Sequence, residues 1–343
     1  MTRFLRQLWN RHNGDVDVIR WGILGTGRIA NKFAQDSALV GTARVTAVGS
    51  RKLETAQAFA SKYGIPNAHC SYDDLVNDSE VDAIYVCTPH PWHCEHTLLA
   101  LNAGKHVLCE KSFAMTANEA AMMISTARKT RRFLMEGMWT RFLPAIVRLR
   151  ELLESGKIGT LRALQVDLGV QIPFDPKNRL FDKTVGGGAL LDLGIYPISF
   201  AFMLMGPPSR YVGFASLGET NVDMQHAILF DYQDGRHAQL TGTFLADAPG
   251  VANLLGSAGR IIVQPRFHHP HALTLIRGGQ HEEISAPFAG GGFQFQIAHV
   301  NAQIRNGGLE SRVMPLDETL EIMRCMDDLR AQWGLRYDAD GPG

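Results

Sequence analysis

The sequence is poor in cysteine, in net charge and in long apolar runs, and each shortage excludes something. Five cysteines in 343 residues (Cys70, Cys87, Cys94, Cys109 and Cys325) are too few, and odd in number, for a disulfide framework. They read as reduced thiols of a cytoplasmic protein, with Cys87 and Cys109 as packing residues. Lys+Arg and Asp+Glu both number 34, so no bulk field draws the chain to nucleic acid or to an anionic membrane. No run approaches the roughly 18 apolar residues of a membrane span. Internal repeats and low-complexity tracts are missing too. What remains, 45% hydrophobic and 20% charged, is a globular composition whose length suits about two domains.

In residues 1–17, Phe4, Leu5, Leu8 and Trp9 can share a helix face beside Arg3, Arg6 and Arg11. The segment has neither the apolar region of a secretory signal nor a twin arginine. It reads as an arm packing on the protein or on a partner subunit, in preference to a mitochondrial-type presequence or an interfacial anchor.

From Val18 onward, strand-length apolar runs alternate with helical stretches: 18–24 then 28–38, 43–50 then 52–63, 82–88 then 93–103, 106–110 then 116–130, and finally 133–136. Strand then helix, repeated, implies right-handed crossovers and a doubly wound parallel sheet covered on both faces. Past residue 140 the pattern changes. After a helix over 142–154, strands follow in meander order at 161–170, 210–217, 225–233, 237–246, 259–264 and 272–277. Asp234-Gly235 and Gly278-Gly279 mark hairpins. A glycine-rich segment opens a helix over 186–205, and helices over 292–305 and 316–333 close the chain. The expectation is a parallel α/β half, 18–140, followed by an α+β half, 141–335, that carries a mostly antiparallel sheet.

The first strand ends in Gly25-Thr26-Gly27-Arg28-Ile29-Ala30, a G-x-G-x-x-A string between a strand and a helix. The first glycine permits the tight turn, and the second lets backbone approach a pyrophosphate at the helix N-terminus. The second strand ends in Ser50, Arg51 and Lys52, with no acid before Glu54. An acid there would bind a ribose 2′-hydroxyl; a hydroxyl and two cations suit a 2′-phosphate, so NADP is favoured over NAD.

Functional side chains in such a sheet gather at the carboxyl ends of its strands. The fourth strand run ends in Thr88-Pro89-His90-Pro91-Trp92-His93 and the fifth in Glu110-Lys111-Ser112. Downstream, Gly186-Gly187-Gly188 opens a helix on which Asp192 and Tyr196, at i and i+4, share a face. Pro197 should free the carbonyl of Leu193 and bend that helix. Moving a hydride from a carbinol carbon requires the hydroxyl proton to leave. Tyr196 can take it if Lys111 lowers the phenol pKa, with Asp192 orienting Lys111 or binding a second hydroxyl. Trp139, Arg141 and Phe142 at the domain junction, and Phe174 and Arg179 from the loop 171–183, are candidates to wall the substrate pocket. His90, His93, Cys94 and His96 are dense but fit no standard zinc spacing, and no metal is expected. His268, His269 and His271 read as exposed loop residues.

These strings, in this order, resemble the glucose–fructose oxidoreductase / inositol dehydrogenase (Gfo/Idh/MocA) family over nearly the whole chain. They are GILGTGRIA, TPHPWH, AGKHVLCEK, EGMWTRFLP, GGGALLDLGIYP and the late segment with Glu310, Ser311, Met314–Leu316 and Asp317. MWTRFLP and LLDLGIYP look most like the branch containing dimeric dihydrodiol dehydrogenase and NADP-linked D-xylose dehydrogenase. The resemblance implies a Rossmann domain, an open C-terminal sheet often used for homo-oligomers, and NAD(P)-dependent chemistry on a hydroxyl-bearing carbon of a sugar or related compound. It implies a catalytic role for Lys111, a cofactor-pocket role for Glu110 beside it, a tyrosine acid/base at Tyr196 preceded by the carboxylate Asp192, and a supporting catalytic role for His93, the histidine of the family's T-P-x-x-x-H loop. Thr88 and Pro89 match the cofactor-side strand end. The family's proline after the lysine is Ser112 here, which leaves Lys111 less rigidly held. The alternatives are a keto-sugar or aldehyde reductase and a non-catalytic NADP-binding regulator.

Overall fold

The alternation of apolar runs and amphipathic helices builds a six-stranded parallel sheet. In this computed structural model, which describes residues 18–341, the strands are β1 (Ile19–Leu24), β2 (Ala43–Gly49), β3 (Asn67–His69), β4 (Ala83–Val86), β5 (His106–Glu110) and β6 (Leu134–Gly137). Their order is β3-β2-β1-β4-β5-β6. The order reverses at β1, which pairs with β2 on one side and β4 on the other, so the ligand crevice of a doubly wound sheet opens at the ends of these strands. The arm expected over 1–17 lies outside the described residues.

The crossovers are α1 (Arg28–Ser37), α2 (Leu53–Tyr63), α3 (Tyr72–Asn77), α4 (His93–Asn102) and α5 (Ala117–Thr130). Local chemistry sets their ends: Thr116 caps α5 by accepting the Glu119 N–H, and Gly64 ends α2 in the left-handed conformation. The short β3 and α3 carry too few apolar residues to stand out in the sequence.

After a 3₁₀ turn at Trp139–Phe142 and α6 (Pro144–Glu154), the chain forms an eight-stranded sheet from β7 (Leu161–Gly169), β8 (Arg210–Leu217), β9 (Asp223–Asp231), β10 (His237–Thr243), β11 (Ala252–Gly256), β12 (Arg260–Val263), β13 (Ala272–Arg277) and β14 (Gln280–Ser285). The order is β14-β13-β12-β11-β7-β10-β9-β8. The expected meander gains two strands, β11 and β14, and its pairing is corrected in one place. β7 pairs parallel with β10 because the helical stretch after residue 183 crosses over between them; the remaining pairs are antiparallel. β9 alternates, with Met224, His226, Ile228 and Phe230 inward and Gln225, Ala227 and Leu229 outward. The inner face is covered by α7 (Ile195–Met205). The stretch Lys183–Met205 also corrects the reading that no segment is apolar enough for a membrane span. It passes by length and composition, but 72% of its best window is buried inside the protein.

Two last helices, α8 (Phe293–Arg305) and α9 (Leu316–Gln332), return to the first half. Asp36 at the end of α1 accepts the N–H groups of Gly291 and Phe293 at 2.7 and 2.8 Å, capping α8 from another element. Asn301 of α8 accepts from Trp21 Nε1 in β1 at 3.0 Å and donates to the Thr42 carbonyl at 2.8 Å. α9 packs on α5, where Asp327 accepts the Ala117 N–H at 2.7 Å.

Candidate active site

At the reversal point the chain leaves β1 through Gly25, whose φ of +112° is open to glycine and strained for other residues. Gly27 then caps α1 with no side-chain hydrogen bond and with nothing within 4 Å of where a Cβ would stand. An uncapped helix start above an open glycine, with Thr26, Arg28 and Ile29 around it, fits a pyrophosphate. At the end of β2, Ser50 is buried while Arg51 and Lys52 are exposed at the start of α2. The Arg51 charge bears on Tyr72 and His96, which stack edge to face at 4.6 Å.

From the end of β4, Thr88 contacts His96 through its hydroxyl at 3.0 Å, and its carbonyl lies 2.7 Å from His93 Nε2. His93 Nδ1 lies 2.8 Å from the Ser112 carbonyl. Burial holds His93 neutral, with its pKa pulled down to about 4, so its single N–H serves one carbonyl at a time. Either tautomer bonds one of these two carbonyls and faces the other, so the ring sits between the ends of β4 and β5. Pro89 is exposed at the crevice. His90 and Cys94 turn to the Gly186 and Glu119 carbonyls, so the histidine–cysteine run does not converge on one point.

Glu110, buried at the end of β5, accepts from Tyr85 at 2.5 Å. Burial raises its pKa to about 7, against the pull of Tyr85 and Lys111. Beyond it Lys111 crosses to the second half, where its Nζ donates to the Asp192 carbonyl at 2.8 Å. The same ammonium stands 3.5 Å from Asp192 Oδ1 and 5.0 Å from the centre of the Tyr196 ring. Burial works against the Lys111 charge, but Asp192, Tyr196 and Glu110 hold its pKa above the ordinary value. Burial likewise opposes ionisation of Asp192, yet Lys111 and Arg179 hold it far below the usual carboxylate range. Arg179 donates to Asp192 Oδ1 at 3.1 Å.

The segment carrying Asp192 and Tyr196 is not a regular α-helix. Residues Leu190–Gly194 form a π-turn, and the Ile195 N–H reaches back to the Leu190 carbonyl. Pro197 lies beyond this turn, inside the α-helix that starts at Ile195, where its missing N–H bears on the Leu193 carbonyl, as the sequence reading has it. The Lys111 ammonium takes the Asp192 carbonyl, inside the π-turn. From behind, Asp223 accepts the Leu190 N–H at 2.7 Å and faces His226 Nδ1 at 3.1 Å, while Tyr337 donates to the Gly187 carbonyl.

Trp139 Nε1 donates to the Tyr196 hydroxyl at 3.1 Å, and the Lys32 ammonium lies over the Trp139 ring at 3.7 Å. Burial raises the Tyr196 pKa, with Lys111 and Trp139 opposing. The expected net lowering by Lys111 is thus corrected: withdrawal from water outweighs one neighbouring cation. Two other candidates point elsewhere. Arg141 is buried on the Ser199 hydroxyl and carbonyl and on the Val313 carbonyl, and Phe142 packs against His299. Phe174 is exposed, its ring tilted against that of Phe181 at 5.2 Å. The reading of His268 and His269 as exposed loop residues is corrected, both being half-buried, while His271 is exposed as expected. His268 bears on the site. It is half-buried, with its ring 5.2 Å from that of Tyr196, and no periodicity in PRFHHPH signals this. Asp223 and His226 were legible in principle, as polar residues in the inward register of β9.

A phenol, an ammonium and a carboxylate thus meet across the crevice from the glycine loop, an arrangement able to hold and move a proton beside a bound dinucleotide. Residues 19–138 match the family described as an oxidoreductase family with an NAD-binding Rossmann fold, and residues 146–262 match the GFO/IDH/MocA C-terminal domain. The chain is 34% identical over 335 residues to trans-1,2-dihydrobenzene-1,2-diol dehydrogenase of Mus musculus, covering 94% of this chain and 99% of that one. Against its human counterpart the identity is 33% over 338 residues, with 94% and 99% covered. Among solved structures, a 3-ketoreductase from Actinomadura kijaniata, in complex with NADP and TDP-benzene, superposes with a TM-score of 0.82 at 27% identity, covering 92% of this chain and 98% of that one. An aldose-aldose oxidoreductase from Caulobacter crescentus, complexed with glycerol, gives 0.84 at 25% identity, covering 92% and 97%. Sequence, sheet order and the two matched domains agree: the chain belongs to the GFO/IDH/MocA family of oxidoreductases.

Proposed function

We propose that the protein is an NADP-dependent oxidoreductase that transfers a hydride between nicotinamide and a hydroxyl-bearing carbon of a sugar or cyclic trans-diol. The observation that carries this reading is the convergence of Lys111, Asp192 and Tyr196 opposite the glycine loop. When bound, the cofactor takes or gives the hydride. The chain's own task is to position the substrate and manage one proton. Residues 18–140 serve as the nucleotide half, and 141–335 as the substrate and oligomerisation half.

Gly25, Thr26, Gly27, Arg28 and Ile29 receive the pyrophosphate, Thr88, Pro89 and Glu110 line the cofactor crevice, and Ser50, Arg51 and Lys52 bind the 2′-phosphate. Lys111 supports a phenolate at Tyr196, and Trp139 donates to the same oxygen. With its acceptor lone pair so occupied, the phenol O–H is left to point at the substrate oxygen. Asp192 holds the Lys111 ammonium and, through Arg179, the substrate loop. His93 acts behind them by joining two strand ends. Because burial keeps Tyr196 protonated, the phenol at neutral pH is ready to protonate a carbonyl oxygen, which favours reduction of a keto-sugar or aldehyde; oxidation is favoured as pH rises.

The proposal extends to a cytoplasmic homo-oligomer with no nucleic-acid or membrane partner. The five free thiols suit a reducing compartment. The outer face of the second sheet, with Val212, Leu229 and Phe214 (77% exposed), suits a second copy. The test is turnover on a panel of aldoses, cyclic diols and keto-sugars with NADP⁺ or NADPH. Lys111→Met and Tyr196→Phe are each expected to lose about a hundredfold or more in kcat; turnover that survives both substitutions overturns the reading.

A further inference from the structure

Ser112 stands where the family pattern has proline, and its hydroxyl does something a proline ring has no means of doing. The side chain is 0% exposed, and a buried hydroxyl is costly unless bonded. Here Ser112 Oγ donates to the Leu191 carbonyl at 2.9 Å, across 79 residues of sequence and from one half of the molecule to the other. The next residue back, Lys111, donates through Nζ to the next carbonyl on, that of Asp192, at 2.8 Å. Two consecutive residues leaving β5 therefore hold two consecutive carbonyls of the π-turn. A π-turn needs such support, since its geometry is poorer than that of an α-helix and Pro197 has removed one of its donors. Ser112 is itself fixed, because its carbonyl lies 2.8 Å from His93 Nδ1.

We propose that Ser112 is a positioning residue, whose hydroxyl clamps the Leu191 carbonyl and so sets the spacing between Lys111 and the Asp192–Tyr196 face. The inference rests on the proposed roles of Lys111 and Tyr196. It assigns to a hydroxyl the rigidity that elsewhere in the family falls to a pyrrolidine ring.

The test compares the full-length parent with Ser112→Ala, which removes only the hydroxyl, and Ser112→Cys, which keeps the volume and offers a weaker donor. Hydrogen exchange in peptides spanning 186–200 is expected to quicken in Ser112→Ala, and less in Ser112→Cys. NADPH binding, followed by fluorescence, should stay within about twofold of the parent, since Ser112 is not in the dinucleotide cradle. On the best substrate of the panel, kcat should fall roughly tenfold, the worth of one buried hydrogen bond. The pH at which the oxidative rate rises should move upward as Lys111 loses its hold on the phenol. A lower Tm with unchanged kcat and pH profile would leave Ser112 a merely structural residue and overturn the proposal; so would unchanged exchange over 186–200. If Ser112→Ala fails to fold, the same readouts on Ser112→Cys decide the matter. The failure of the underlying reading is recognised separately, by turnover that persists in Lys111→Met and Tyr196→Phe.

Discussion

Adding one methyl group at Gly194, two residues from both Asp192 and Tyr196, tests whether the π-turn is wedged from behind. A Cβ there would stand 2.6 Å from His226 Nε2 and 2.7 Å from Cε1, well inside van der Waals contact. The ring has nowhere to go. Its side chain is 1% exposed, its Nδ1 is held by Asp223 at 3.1 Å, and Trp333 stacks on it at 5.7 Å. Across the ring, a Cβ at Gly242 would come within 2.5 Å of the same nitrogen. Overpacking of this kind costs about 1–3 kcal/mol, and in a chain of this size each kcal/mol lowers Tm by about 2 °C. Gly194→Ala should therefore melt about 2–6 °C lower, with a fall in kcat as Asp192 and Tyr196 are displaced. His226→Ala removes the wedge at its own cost, so in the double variant the Gly194 penalty should largely vanish, a coupling of about 1 kcal/mol or more. Scanning calorimetry on the four proteins gives the answer. A parental Tm for Gly194→Ala, or strict additivity in the double variant, would refute the argument.

Three further outcomes are expected. Arg51→Ala should weaken NADPH binding about tenfold or more and leave NADH binding nearly unchanged, as measured by fluorescence titration at fixed salt; equal loss for both cofactors would remove Arg51 from the 2′-phosphate site. Burial raises the Glu136 pKa to about 7, so the folded state holds a proton that the unfolded state releases near 4.5, and stability is lost as pH rises through that window. The stability of Glu136→Gln relative to the parent should thus improve by about 1–3 kcal/mol from pH 5 to pH 8 in denaturant titrations, and a flat difference would contradict the burial argument. Phe214→Glu, on the exposed sheet face, should shift light-scattering mass from oligomer towards monomer without changing NADPH affinity; an unchanged mass would place the interface elsewhere.

How much of this was legible in the sequence depends on whether the signal is local. The glycine loop, β4, β5 and the hairpins at Asp234 and Gly278 follow from apolar runs and turn residues that act within a few positions. The meeting of Lys111 with Asp192 is legible only through the order of the motifs, because no spacing rule connects residues 81 apart. Pro197 announces a missing hydrogen bond in the helix that contains it, but nothing in the spacing announces the π-turn at Leu190–Gly194 just before it. Arg141 misleads because a cation near a domain junction suggests a ligand, whereas it is consumed by the Ser199 and Val313 backbone. His268 misleads in the opposite sense: its loop lies over Tyr196 by tertiary packing, which leaves no trace in composition.

The contact of α8 with β1 bears on how the chain is made. Trp21, buried in the first strand, finishes its hydrogen bonding only with Asn301, and Asp36 receives its partners only from residues 291 and 293. On a ribosome the nucleotide half is the first to emerge and the last to be completed. Its carboxylate must wait for 255 further residues and its indole for 280, roughly 13–56 seconds of synthesis at 5–20 residues per second. Over that interval the apolar residues around β1 lack Phe293, Ile297 and Val300 of α8, which share their core in the finished protein.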